Sequence, residues 1–263
     1  MSPHPYLAGA ALPRVLAHRG LVTADAASHG IAENSFAAVA AAHAAGALYI
    51  ESDCHRTVDG TVVLFHDPGL ERVTGDRRLV SEVTERELEQ LMAPRGGLIT
   101  LAQALDAFPG VRFNLDVKAA DAAPSVGRIV APHADRVLVT SFSDARRRAA
   151  VDAAVDAGAG IRPATSAGSR TILDVVMAVS LRSRPLAVRA LEGIDALQIP
   201  ERHGRLRLLT PRLLDVAHAL GVEVHVWTVN DVDQMRRLVD MGVDAVVTDR
   251  ADAALRAFGG PAL

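Results

Sequence analysis

The sequence contains one cysteine, Cys54, among 263 residues. A single cysteine excludes an internal disulfide framework and is typical of a reducing compartment, so we expect a cytoplasmic protein. Neither sign of charge dominates, because 28 lysine and arginine residues stand against 31 aspartate and glutamate residues. The net charge of -3 predicts no large basic face, and we therefore expect no nucleic-acid partner.

Membrane-directing features are also scarce. Residues 1–14, MSPHPYLAGAALPR, lack the basic start and the long apolar run of a secretory signal or a membrane span. No amphipathic basic helix that could dock on a membrane is evident in the pattern. We therefore expect no stable membrane association and a small, soluble substrate.

Short β-rich segments alternate with alanine-rich segments of helical spacing. Strands are predicted at residues 14–19, 48–53, 61–66, 112–118, 136–142, 160–166, 195–200, 223–229 and 244–249. Helices are predicted at residues 35–46, 84–92, 100–110, 144–158, 171–183, 210–221 and 231–242. Thr84 and Glu87 predict a capping box, and helix ends are predicted at Gly46, Gly158, Gly221 and Gly242.

This alternation predicts parallel strands joined by right-handed crossovers. About eight such units favour a TIM-type (β/α)8 barrel of the α/β class over an open sheet. Barrels of this length are commonly one domain, so we expect a single domain over residues 1–263. Residues 67–110 are longer and more polar than one crossover requires, which predicts a small insertion over one rim after the second strand.

Polar side chains stand where the early strands end. The carboxyl ends of barrel strands form the mouth that carries the chemistry, so these residues should converge. They are His18 and Arg19 on the first strand, Glu51 and Asp53 on the second, His66 on the hairpin return, and Asp116 and Lys118 on the next strand.

Strand alternation turns Asn114, Asp116 and Lys118 toward the barrel axis, and it places Glu51 and Asp53 on one common face. Three carboxylates in one small volume would raise each other's pKa values unless a cation neutralised them. A divalent metal ion resolves this conflict. Ligands that are all oxygen favour Mg²⁺ or Ca²⁺ over Zn²⁺.

Lys118 is the only lysine in the chain. A compact ammonium group at this one position indicates a role that a guanidinium group does not fill. Survival of a single lysine under codon bias is the alternative, but the position of Lys118 beside Asp116 at the mouth favours the functional role. A metal ion, Lys118 and Arg19 together would suit a phosphate group, whose charge must be offset before a nucleophile approaches.

The motifs AHRG, AENS, YIESDCHRTVDGTVVLFHDPGLERVTG, TLAQALDAFPGVRFNLDVK, VWTVND and GVDAVVTDR, in this order, resemble the glycerophosphodiester phosphodiesterase family over nearly the whole chain. The resemblance implies a TIM-type barrel that uses a divalent metal ion to hydrolyse glycerophosphodiesters to an alcohol and glycerol 3-phosphate. It further implies catalytic His18 and His66, metal-binding Glu51, Asp53 and Asp116, and substrate-binding Arg19, Lys118, Glu33, Asn34 and Trp227.

Three departures from the family pattern stand out. Asp116 occupies a position where the family usually has glutamate, and Ala32 replaces a common proline. The loop LVTADAASHGIA at residues 21–32 is long for the family. These changes bear on metal affinity and substrate choice, whereas no reacting group is lost.

Histidine titrates near neutral pH, so one of two histidines can take a proton from the nucleophile while the other protonates the leaving alkoxide.

A lysophospholipase D-type phosphodiesterase is the nearest alternative, because a lysophospholipid contains the same phosphodiester. A non-catalytic phosphate-binding barrel would need neither both histidines nor the three carboxylates. A zinc hydrolase is disfavoured because AHRG offers one histidine and no His-x-His pair. We expect Asp249 to cap the helix that follows it.

Overall fold

The computed structural model describes residues 4–259. Its strands are β1 (Arg14–His18), β2 (Tyr49–Arg56), β3 (Val62–Leu64), β4 (Arg112–Val117), β5 (Val137–Thr140), β6 (Ala164–Thr165), β7 (Ala196–Ile199), β8 (Arg202–His203), β9 (Leu206–Arg207), β10 (Glu223–Val226) and β11 (Ala245–Thr248).

The α-helices are α1 (Ala24–Ser28), α2 (Phe36–Ala44), α3 (Glu71–Thr74), α4 (Glu85–Met92), α5 (Leu101–Ala107), α6 (Ala123–Val130), α7 (Asp144–Asp156), α8 (Ser169–Ser180), α9 (Arg184–Ala190), α10 (Pro211–Ala219), α11 (Val232–Asp240) and α12 (Ala251–Ala257). Short 3₁₀ helices cover Val80–Glu82, Ala93–Arg95 and Ala131–Arg136. Within residues 4–259, no helix has the length and apolar character that crossing a bilayer requires.

Eight strands pair in parallel in the order β6-β5-β4-β2-β1-β11-β10-β7. A parallel bridge between Ser166 and Ala196 connects the two ends of this order, which closes the sheet into a barrel. β3 pairs antiparallel with β2 at its outer end. The predicted TIM-type (β/α)8 fold is therefore confirmed.

The predicted elements form near their expected positions because their local signals agree with the fold. The Thr84 capping box is present, and Gly46, Gly158, Gly221 and Gly242 have the left-handed backbone expected after a helix. The helices α1, α3, α6 and α9 and the β8–β9 hairpin were not predicted from the sequence. These elements span two to eight residues, and two of the helices have proline in the first turn, so each gives only a short signal in the sequence.

The barrel interior is filled at its amino end, which leaves the opposite end for a site. Tyr6 is fully buried there, with its ring edge-on to Tyr49. Arg14 and Arg112 both donate hydrogen bonds to the hydroxyl of Tyr49, and both also hold carbonyl groups of the N-terminal segment. Arg14 in turn forms a buried ion pair with Glu223 at 2.7 Å.

Residues 67–110 build a small apolar cluster of their own against β3. Its buried members are Val63, Phe65, Leu70, Val80, Val83, Leu88 and Met92. The segment begins with α3, whose Arg72 reaches back toward the barrel mouth, and it ends with α5, which leads into β4. The predicted insertion after the second strand is present at this rim.

Candidate active site

A cavity of about 420 Å³ opens at the carboxyl ends of the barrel strands. One end is polar and the other is apolar. Of the ten residues predicted for the site, eight line this cavity: His18, Arg19, Glu51, Asp53, His66, Asp116, Lys118 and Trp227. Glu33 and Asn34 lie behind it and contact residues that line it.

Strand alternation explains why the polar side chains point inward. Leu16 and Tyr49 belong to the apolar cluster inside the barrel. His18 lies two residues beyond Leu16, and Glu51 and Asp53 lie two and four residues beyond Tyr49, so all three continue the inward face toward the mouth. The interior thus changes from apolar to polar along β1 and from apolar to charged along β2.

The turn after β1 has a strained backbone. Arg19 has φ +57° and Gly20 has φ +86°, both in the left-handed region. A Cβ on Gly20 would also lie 2.6 Å from the carbonyl carbon of Ala38, so the turn requires glycine. Backbone bonds from Arg19 to the carbonyl of Glu51 and from Asn34 to the carbonyl of Arg19 hold the turn in place.

Glu51, Asp53 and Asp116 lie side by side on β2 and β4, where Asp53 is directly opposite Asp116. All three are at most 7% exposed. Burial and the charges of Asp53 and Asp116 raise the pKa of Glu51 well above its usual value. Burial also raises the pKa of Asp116, against the opposing effect of Lys118.

Lys118 lies between two of these carboxylates. Its Nζ is 2.9 Å from Asp53 Oδ1 and 2.6 Å from Asp116 Oδ2. Although burial acts to lower the pKa of Lys118, the two aspartates raise it above its usual value, so the ammonium form is favoured. Arg19 adds a second cation, with its Nε 3.2 Å from Asp53 Oδ2.

The carboxylates of Glu51, Asp53 and Asp116 offer the oxygen ligands that a hard divalent cation prefers. In the described residues 4–259, no three histidine, cysteine, aspartate or glutamate side chains converge as a metal-binding group. Lys118 contacts both Asp53 and Asp116, and Arg19 contacts Asp53. Glu51 accepts a hydrogen bond from the backbone N–H of Arg19 at 3.2 Å, and its pKa is raised by burial beside Asp53 and Asp116. The buried Oδ1 atoms of Asp116 and Asn114 have no hydrogen-bond partner within the same residues, so oxygen ligands remain available.

Glu33 and Asn34 support this cluster from outside the cavity. The amide of Asn34 donates to Asp53 Oδ2 at 3.0 Å, and Asn34 accepts a hydrogen bond from the hydroxyl of Ser52. Glu33 accepts from Arg19 at 2.8 Å and from Arg72 at 2.6 Å. The Glu-Asn pair therefore orients Arg19 and Asp53.

His18 is held by a carboxylate that sequence analysis assigned to another role. Its Nδ1 lies 2.6 Å from Asp249 Oδ1, and Asp249 Oδ2 accepts a hydrogen bond from Asn230. The hydrogen bond with His18 is the main reason why the pKa of Asp249 is lowered. The predicted helix cap is wrong, because α12 starts after Arg250 without a side-chain cap. The position of Asp249 at a strand's carboxyl end was the available signal.

His66 is held in a similar way. Its Nδ1 lies 2.6 Å from Asp67 Oδ1, while Asp67 Oδ2 accepts a hydrogen bond from Arg72 at 2.5 Å. Burial acts to raise the pKa of Asp67, yet the hydrogen bonds from Arg72 and His66 lower it overall. Sequence analysis assigned no role to Asp67 or Arg72, although both lie in the quoted segment HDPGLERVTG.

A carboxylate only accepts hydrogen bonds, so Nδ1 of both His18 and His66 carries the proton in these contacts. The second nitrogen, Nε2, is then the group that can exchange a proton with a bound molecule. Nε2 of His18 lies 3.8 Å from Glu51 Oε2, close to the carboxylate cluster. Two oriented imidazoles, two cations and a carboxylate cluster around one cavity can support acid-base chemistry on a phosphate ester.

The other end of the cavity is apolar. Trp227 and Phe142 meet edge to face with ring centroids 5.8 Å apart. Leu173 from α8 and Leu206 from β9 line the same end and, like Phe142, are more than half exposed. This wall suits the apolar part of a ligand, with the phosphate at the polar end.

The model of the glycerophosphoryl diester phosphodiesterase family matches residues 18–253. A Mycobacterium tuberculosis protein named as a probable glycerophosphodiester phosphodiesterase 2 is 38% identical over 240 residues, covering 90% of this chain and 87% of the relative. A Homo sapiens protein named as a lysophospholipase D is 25% identical over 250 residues, covering 82% of this chain and 79% of the relative.

Solved structures agree in fold. An Oleispira antarctica phosphodiesterase, in complex with the product sn-glycerol-3-phosphate, has a TM-score of 0.71 at 22% identity and covers 95% of this chain and 98% of its own. A Thermotoga maritima glycerophosphodiester phosphodiesterase has a TM-score of 0.69 at 23% identity, over 94% and 99%. The family match and the relative at 38% identity settle the classification. The chain belongs to the glycerophosphoryl diester phosphodiesterase family, a family of phosphoric diester hydrolases.

Proposed function

We propose that the protein is a metal-dependent phosphodiesterase that hydrolyses glycerophosphodiesters to an alcohol and glycerol 3-phosphate. The observation that carries this proposal is the placement of His18 and His66, each bound through Nδ1 to its own carboxylate, in one cavity with Lys118. One imidazole takes a proton from the nucleophile and the other protonates the leaving alkoxide.

We further propose one barrel domain over residues 1–263, with residues 67–110 as part of its rim.

Glu51, Asp53 and Asp116 would hold one divalent metal ion, Mg²⁺ or Ca²⁺. The raised pKa of Glu51 and the unpartnered Oδ1 of Asp116 support this assignment, since both indicate negative charge and lone pairs that a cation would offset. When bound, such an ion stabilises negative charge on the phosphoryl oxygens.

Arg19 and Lys118 would bind the phosphate group from the polar end of the cavity. Each already contacts Asp53, so each is oriented before a substrate arrives. Glu33 and Asn34 would keep Arg19 and Asp53 in that orientation, and Trp227 would contact the glycerol or alcohol moiety.

Because the chain has a single cysteine, we propose that this chemistry takes place in the cytoplasm.

A lysophospholipase D-type reaction is the second candidate, and the apolar wall favours it. Phe142, Leu173 and Leu206 offer more apolar surface than the alcohol of a small soluble diester needs. A relative that carries the name lysophospholipase D adds support. In this case the same catalytic groups cleave the phosphodiester of a lysophospholipid, while the acyl chain contacts the apolar wall.

The test is a panel of substrates on metal-stripped enzyme to which Mg²⁺, Ca²⁺ or Mn²⁺ is returned. Glycerol 3-phosphate is detected through a coupled dehydrogenase, and lysophosphatidate is detected by mass spectrometry. Release of glycerol 3-phosphate only with metal supports the first candidate, whereas release of lysophosphatidate supports the second. Full-rate cleavage without metal would refute the metal-dependent mechanism.

The His18→Ala and His66→Ala variants test the acid-base assignment. Each should abolish turnover while circular dichroism and thermal unfolding stay as in the wild type, because neither imidazole is part of the barrel core. The His43→Ala variant is the control, since His43 lies on α2 outside the cavity. Near-normal rates from both active-site variants would rule out these histidines as the acid and base.

A further inference from the structure

Exposed apolar side chains cluster on one side of the cavity mouth. Phe142 follows β5, Leu173 lies on α8 and Leu206 lies on β9, and all three line the same cavity. Their exposed fractions are 60%, 56% and 51%. Scattered exposed apolar residues are ordinary, but three from separate elements around one opening indicate a surface that contacts apolar material.

The β8–β9 hairpin adds positive charge to the same side. His203 pairs with Leu206 and Arg202 pairs with Arg207 across the two strands. Since successive side chains alternate faces, His203 and Leu206 face the cavity that they line, and Arg202 and Arg207 take the opposite face. The hairpin therefore presents an apolar face to the substrate and a basic face outward.

The positive charge of this hairpin is largely uncompensated. Residues 202–207 contain three arginines and no acidic residue, in a chain whose net charge is -3. Arg207 lies 3.7 Å from Glu201. Arg202 and Arg205 are exposed, and within residues 4–259 neither has a carboxylate within 4.0 Å.

We propose that this side of the mouth, defined by Phe142, Leu173, Leu206 and the hairpin arginines, docks reversibly on the surface of an anionic lipid aggregate. Arginines beside exposed apolar side chains match anionic headgroups beside acyl chains. The proposal rests on the second candidate function, in which the diester carries an acyl chain. Docking would deliver the phosphodiester to the polar end while the chain leaves along the apolar wall.

The attachment is a peripheral contact. Few arginines take part and they are exposed, so the affinity falls as salt screens their charge. The hairpin follows β7 at the carboxyl end of the barrel, so a lipid surface that touches it also faces the cavity mouth. This geometry gives the hairpin a role that catalysis on a soluble diester does not require.

The test measures co-sedimentation with vesicles of equimolar phosphatidylglycerol and phosphatidylcholine, compared with vesicles of phosphatidylcholine alone. The wild type should bind the anionic vesicles and release them at high salt. The Arg202→Glu/Arg205→Glu variant should lose binding by roughly tenfold or more, since two charges are reversed and the net charge of the hairpin falls by four units. The charge-matched control is Arg184→Glu/Arg189→Glu, at two exposed arginines of α9, which leads to the amino end of β7. It should bind nearly as the wild type does.

Turnover of a soluble glycerophosphodiester is measured on the same samples and should be equal in all of them, because Arg202 and Arg205 do not line the cavity. Wild-type enzyme that cleaves this diester but does not bind the anionic vesicles would overturn the docking proposal alone. Equal loss of binding in the Arg184→Glu/Arg189→Glu control would also overturn it, since net charge and not this surface would then explain binding. Intact vesicle binding without cleavage of any diester would instead refute the proposed function.

Discussion

Nδ1 of His18 lies 2.6 Å from Oδ1 of Asp249, although 231 positions separate the two residues in the sequence. β1 and β11 are neighbours in the closed barrel, and their paired residues Ala17 and Thr248 immediately precede this contact. The carboxylate accepts the Nδ1 proton and leaves Nε2 directed to the substrate side. Closure of the barrel therefore creates an oriented imidazole from the two ends of the chain.

The Asp249→Asn variant should lower kcat by roughly 10- to 100-fold with little change in KM. The amide can donate a hydrogen bond to Nδ1, which favours the tautomer with its proton on Nε2. Nε2 is then a donor where the wild type has an acceptor. Steady-state kinetics measure the effect, and Asp233→Asn is the control because the side chain of Asp233 is 89% exposed. An unchanged pH-rate profile and kcat would show that Asp249 does not position His18.

The Arg72→Gln variant should lower kcat by roughly tenfold, because Arg72 donates to both Asp67 and Glu33 and so supports His66 and Arg19 at once. Arg72→Lys should recover part of the rate, since it keeps the charge but not both directed hydrogen bonds. Arg77→Gln, at a side chain 90% exposed, is the control. Equal kcat in Arg72→Gln and the control would exclude a positioning role.

Removal of metal by a chelator should abolish hydrolysis, and Glu51→Gln should weaken the binding of the returned ion by more than about tenfold, because it removes a ligand charge. Isothermal titration calorimetry with Mg²⁺ and Ca²⁺ measures this affinity without turnover. Glu89→Gln, an exposed residue on α4, is the control. Unaltered ion affinity in Glu51→Gln would remove Glu51 from the ligand set.

Stability should fall in acid partly through Glu223. Burial acts to raise the pKa of Glu223, but its hydrogen bonds with Arg14 and His225 lower it from 4.5 to about 2. A carboxyl whose pKa is depressed by folding stabilises the protein above pH 4.5 and loses that effect as the pH falls toward 2. The contribution is on the order of 3 kcal/mol at neutral pH.

The Glu223→Gln variant should therefore lose about 3 kcal/mol of unfolding free energy at pH 7, since it leaves the buried Arg14 without its ion pair. Denaturant unfolding between pH 2 and 7 measures both effects. The variant should show a smaller dependence on pH than the wild type over this range. Parallel curves for the two proteins would assign the acid sensitivity to other carboxyl groups.

Much of the polar site was predictable because strand alternation is a local property. In FNLDVK, side chains of period two place Asn114, Asp116 and Lys118 on one face, and the structure has all three lining the cavity. The same rule applies to Glu51 and Asp53 on β2. Barrel strands end at a common mouth, so local direction and fold class together were enough to predict that these groups converge.

The cations around the carboxylates could not be predicted in the same way. The three carboxylates in the sequence predict a divalent ion between them, yet Lys118 itself lies between Asp53 and Asp116. Which partner a long flexible side chain chooses depends on the positions of both strands and on burial, and no sequence spacing encodes this. The contact of Arg72 with Glu33 likewise depends on how the insertion folds back on the rim.

The sequence by itself determined the eightfold alternation of strands and helices, the inward direction of the acidic and basic side chains, and the motif order of the family. These follow from local periodicity and residue type. Only the tertiary structure decided that Asp249 pairs with His18, that Arg72 binds Glu33, and that an arginine hairpin lies beside exposed apolar side chains. Such contacts join segments that are distant in the chain, and closure of the barrel brings them within bonding distance.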